Sequence, residues 1–178
     1  MKKIWKIIIA LIVSAGIFFL QILAKEFLPY PLNQINIIFA AMAWLLILTG
    51  RVGILWYGAP LAFLIEIFSS SQFGLNSLLL LFSFLLIFWL LINYFTNRSL
   101  LIVMLLGLIG MTFYRSCYIL YQLVFTSGGD NINWSLGGIF SLYGVEIIIT
   151  TVALTLFYLL TTIFIKKLNP SYISISKL

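Results

Sequence analysis

Between positions 50 and 95 the chain reads GRVGILWYGAPLAFLIEIFSSSQFGLNSLLLLFSFLLIFWLLINYF, two apolar runs joined by a polar corner, with one carboxylate, Glu66, near the end of the first run. At a rise of about 1.5 Å per residue, helices through these runs suit a hydrocarbon core of about 30 Å. The pair therefore reads as a membrane hairpin with an acid close to its turn. Further spans are expected to pack around it.

Composition agrees. The 178 residues are 63% hydrophobic and 8% charged, far from the balance of a soluble domain. The chain has no His and a single cysteine, Cys117, so a Cys/His metal set, a Cys/His nucleophile pair and an internal disulfide are all ruled out. No cofactor and no enzymatic activity are expected. The net charge of +6 does not point to nucleic acid, because the basic residues stand at span ends rather than along one polar face.

Six spans are expected, at about residues 7–23, 36–48, 52–68, 75–95, 100–125 and 139–165, forming a single all-α membrane domain with no soluble part. Lys2, Lys3 and Lys6 precede the first, which reads as an uncleaved helix because Ile22 is a poor residue three before a cut after Ala24. Gln21, Lys25 and Glu26 mark its far end. Pro29 and Pro31 predict an extended connection over 28–36. The second span is short, and Pro60 lies inside the third. The fourth is almost wholly Leu, Phe and Ile, which predicts lipid on much of its circumference. Gly107 and Gly110 in the fifth would let a neighbouring backbone approach. The GGDN segment at 128–131 lacks the other ligands of a calcium loop and reads as a turn.

Six spans put both termini on one side. Lys2, Lys3, Lys6, Arg51, Arg98, Lys166, Lys167 and Lys177 then share that side, against Lys25 alone on the other. The positive-inside rule makes the shared side cytoplasmic, where Arg51 and Arg98 are candidate contacts for lipid or a partner.

Three charges fall within spans: Glu66, Arg115 and Glu146. An arginine at the centre of a span costs about 2.5–3.5 kcal/mol on insertion scales, so it is expected to find a partner. Counted from the cytoplasmic ends at about 1.5 Å per residue, all three lie in the outer half. Arg115, Tyr118 and Gln122 share one helix face, as do Tyr143, Glu146, Thr150 and Ala153. The candidate site is accordingly a polar cluster of Glu66, Arg115, Tyr118, Gln122 and Glu146, with Arg115 paired to Glu146, Glu66 or both. Such pairs commonly fix helix packing. A substrate or ion site is the functional alternative, and the tyrosines at 114, 118 and 121 fit either a pocket or an interfacial aromatic belt.

The order of features from Pro31 to Arg98, about half of the chain, resembles the MreD family of rod-shape-determining membrane proteins. A proline lies before a short span, a glycine-rich turn follows (Gly50, Arg51, Gly53), a helix ends in an acid, and FGLNSLLL at 73–80 is similar to the segment that follows that acid in the family. Glu66 stands where the family usually has Asp, and Leu32 and Asn33 follow Pro31 where the family has an acid. The resemblance implies a multi-pass protein of the bacterial inner membrane, a scaffold of the elongasome that serves peptidoglycan synthesis and cell shape, with an MreC-like partner. The size and six-span layout are also similar to the substrate-binding subunits of energy-coupling-factor vitamin transporters. Those dock their energising partner through small residues at four-residue spacing in the first helix, a pattern that Ala10, Ser14 and Ala15 match in part.

Overall fold

The computed structural model describes residues 2–68, 72–95, 99–125 and 136–168. Among the described residues the regular structure is all helical, with no strand. The helices are α1 (Lys2–Phe27), α2 (Ile37–Thr49), α3 (Leu55–Phe68), α4 (Leu75–Asn93), α5 (Leu100–Phe125) and α6 (Leu136–Leu168). Among the described residues, three segments are long and apolar enough to cross a membrane: Leu75–Asn93, Leu100–Gln122 and Tyr143–Phe164.

The order of packing is α1 on α3, α3 on α4, α4 on α5 and α5 on α6, with α2 in contact with all five. The shortest helix is thus the axis of the bundle. Its sequence explains the position: IIFAAMAWLLILT is apolar on every side, the pattern of a helix buried all round. Ala40 and Ala43 are fully buried, as are Phe39, Met42, Leu46 and Ile47 to within about 2%. The small alanines bring neighbours close, and the larger residues fill the layers between them.

The ends of α2 follow from local chemistry. Gly50 takes the left-handed conformation at φ 61°, and its N–H closes on the Leu46 carbonyl at 2.8 Å. Gly74, at φ 93°, makes the corner before α4 in the same region of backbone space. The connection before α2 is not simply extended. A single 3-10 turn at Leu32–Gln34 follows the cis Tyr30–Pro31 bond. Pro60 is accommodated within α3, which continues past it to Phe68.

α4 buries Asn76, Leu80, Ser83, Phe84, Ile87 and Leu91, one stripe at helical spacing, and turns Leu78, Leu81, Phe82, Leu85, Trp89 and Ile92 outward. α1, α5 and α6 have similar outer faces, with Leu11, Phe19, Leu101, Leu108, Ile148 and Leu156 exposed. An apolar perimeter of this extent suits a hydrocarbon solvent.

The two glycines of α5 make room for side chains rather than for backbone. A Cβ at Gly110 would collide with Ile87 Cδ1, and would lie 2.8 Å from Ile87 Cγ1 and 3.2 Å from Phe39 Cζ. At Gly107 the nearest atom is Leu154 Cδ2 at 2.6 Å, the tip of a side chain that can turn away. Gly110→Ala is therefore expected to destabilise the bundle by about 1–3 kcal/mol through overpacking, and Gly107→Ala by less. Thermal melting in detergent reads this, and adding Ile87→Val to Gly110→Ala should restore part of the loss.

Candidate functional site

On α5, Arg115 follows Tyr114 directly and stands one turn before Tyr118; on α6, Tyr143 and Glu146 stand one turn apart. Because α5 and α6 pack side by side, this spacing brings the two sets together. Arg115 Nη2 donates to Glu146 Oε1. The guanidinium carbon lies 5.1 Å from the ring centre of Tyr114, 5.7 Å from Tyr118 and 5.1 Å from Tyr143. Three aromatic faces within about 6 Å attract the cation in addition to its carboxylate partner. The pair is largely out of solvent, with side-chain exposures of 18% for Arg115 and 10% for Glu146.

These residues form one wall of a cavity of about 860 Å³. Gln21, Lys25 and Glu26 of α1 and Asn33, Gln34 and Asn36 of the connection form another. The amide oxygens of Asn33 and Gln34 and Nε of Arg115 are buried without a hydrogen-bond partner among the described residues. The arrangement combines a fixed ion pair with unspent donor and acceptor capacity, as required to hold water or a small polar molecule.

At the floor of the cavity α2 begins, and its first turn is fully capped. A helix leaves its first N–H groups without internal partners, a serious penalty where water is excluded. Here Gln21 Oε1 accepts from Ile37 N at 2.6 Å and from Ile38 N at 3.4 Å, and Asn36 Oδ1 accepts from Phe39 N at 3.0 Å. Thr150 Oγ1 accepts from Asn36 N at 3.0 Å, and Gln21 Nε2 donates to the Ile35 carbonyl at 2.9 Å. Three separate elements thus pin the start of the central helix.

Of the residues expected to cluster, the fold brings together Arg115, Tyr118 and Glu146. Gln122 lies one turn beyond Tyr118, half-buried and away from the cavity wall. Glu66 faces elsewhere. Its Oε1 accepts from Ser77 N at 2.7 Å and from Ser77 Oγ at 2.9 Å, so the acid of α3 caps the start of α4. Tyr121 does not join the cluster, since its hydroxyl donates to Gln72 Oε1 at the α3–α4 corner. Cys117 is partly buried, and Arg51 is exposed at the end of α2. Arg98 and the 128–131 segment fall outside the described residues. Gln21 and Thr150 are the polar residues whose roles spacing alone did not assign. The signal for Gln21 was an amide placed where an apolar span had not yet ended.

Comparison with protein-family models, with curated proteins and with solved structures finds no match in any of the three.

Proposed function

We propose that this chain is a non-enzymatic scaffold of the bacterial inner membrane, within the machinery that elongates the cell wall and governs cell shape. On this reading it crosses the bilayer six times, with both termini and Arg51 on the cytoplasmic side. The supporting observation is the unit built by Glu66 and the segment after the corner. These are residues on which the likeness to MreD rests, and they meet through two hydrogen bonds, with Gly74 supplying the left-handed corner between them. An acid followed by a glycine and a small hydroxyl residue thereby has a physical reason to occur as a set. The acid receives the free N–H of the next helix, and the glycine makes the turn that brings it there.

A second reading, a ligand-binding subunit of an energy-coupling-factor transporter, is favoured by the polar cavity and by the buried amide oxygens of Asn33 and Gln34. Purification of the tagged protein from its native membrane in mild detergent separates the two. Mass spectrometry is expected to find an MreC-like protein or wall synthases. Recovery of ATP-binding-cassette ATPases, or of a stoichiometric small molecule, would replace the scaffold with the transporter subunit.

A further inference from the structure

A second hollow lies between α3 and α4, on an exposed apolar side of the bundle, and α2 forms its back. It encloses about 430 Å³. Its two ends differ in chemistry. Toward the corner stand Glu66 and Ser77, whereas from Ala62 inward to Gly58, Met42 and Leu55 the walls are apolar. At the deep end Met42 packs close against Gly58, where a Cβ would lie 2.6 Å from Met42 Cε. Phe63, Leu78 and Leu81 are exposed along the groove, so it opens sideways toward the bilayer.

Glu66 is only 5% exposed. Both hydrogen bonds that Glu66 accepts from Ser77 fall on Oε1, the Ser77 hydroxyl also lying 3.3 Å from the Ala62 carbonyl, while Oε2 is buried with no partner among the described residues. Leaving a carboxylate oxygen unmet in an apolar site is unfavourable. Among the described residues that line it, the groove has no Lys or Arg, and these residues offer too few polar atoms to hold a water well. A complement can enter from the lipid phase. It needs a chain for the apolar length, and a head that carries positive charge and an N–H to donate.

We propose that this groove seats a bilayer lipid with a primary ammonium head, its acyl chain lying between α3 and α4 and its ammonium donating to Glu66 Oε2. A quaternary head carries the same charge but has no N–H, so it cannot make that bond. The site requires only that the bundle lie in a membrane, and is independent of whether the protein is a scaffold.

The test is native mass spectrometry of the purified full chain, incubated separately with phosphatidylethanolamine and with phosphatidylcholine of identical acyl chains. Wild type is expected to retain the ethanolamine lipid about tenfold better, the margin of one hydrogen bond to a charged group. Glu66→Gln still offers Ser77 an acceptor, and it should lower ethanolamine retention to the choline level. Ala62→Phe fills the groove and should abolish retention of both lipids while leaving Glu66 in place. Equal retention of the two lipids by wild type, a preference that survives Glu66→Gln, or unchanged retention by Ala62→Phe would each overturn the proposal. Melting in detergent checks that each variant is folded, and the wild-type comparison decides the matter without any variant. None of these outcomes depends on which proteins co-purify.

Discussion

Arg115→Leu is expected to lower the stability of the bundle by about 3–5 kcal/mol, the usual effect of breaking a buried ion pair from one side. The substitution removes the donor to Glu146 Oε1 and strands a carboxylate on a residue that is only 8% exposed. A leucine inserts into a membrane more readily than an arginine, by about 2.5–3.5 kcal/mol at a span centre, but that preference favours an inserted helix without repairing the packed one. Folded yield and melting temperature in detergent should therefore both fall. Adding Glu146→Gln removes the stranded charge and should recover part of the loss. Arg115→Lys should fall between, because an ammonium keeps the charge but loses the planar group that lies against three rings. An unaltered melting temperature for Arg115→Leu would remove the pinning role.

The second large effect is expected at Gln21. Its side chain meets three backbone groups at once, the N–H groups of Ile37 and Ile38 and the carbonyl of Ile35. Leucine is of similar size and can meet none of them. With buried groups left unmet at about 1–3 kcal/mol each, and the 3.4 Å contact to Ile38 contributing least, Gln21→Leu should destabilise the protein by on the order of 3 kcal/mol. Asn36→Ala, which removes an ordinary N-cap, should lose about 1 kcal/mol. Hydrogen exchange at the Ile37 and Ile38 amides would localise the effect. Faster exchange there in Gln21→Leu, with α4 unchanged, is the expected pattern, whereas uniform change across the bundle would contradict a local capping role.

The same residues show what was legible in the chain itself. Long apolar runs gave away the helices to within a few residues, because length and hydropathy are local properties. The meeting of Arg115 with Glu146 was also within reach, since three- and four-residue spacing puts each on a polar face and a buried arginine needs a partner. The central place of α2 was not. A segment apolar on all sides has no moment to orient it, and its shortness suggested a marginal span rather than an axis. Gln21 looked like the end of a helix because its partners lie 14 to 17 residues away, across a proline-containing connection. Glu66 was drawn toward Arg115 by charge, whereas the fold gives it the hydrogen-bond donors of Ser77 only 11 residues on. A signal for that contact existed: Ser77 is the third residue after Gly74, where a helix start presents a free N–H.

Whether α2 carries the chain across a bilayer is tested most directly by the accessibility of its two flanks. Glu26 and Arg51 are both exposed, on either side of a helix of 13 residues. In a Cys117→Ser background, single cysteines at these two positions can be labelled with a membrane-impermeant maleimide in intact spheroplasts and again after permeabilisation. Six spans require Glu26→Cys to react in intact spheroplasts and Arg51→Cys only once the membrane is opened. Reaction of both from the same side would mean that α2 does not cross, and would contradict the six-span bundle.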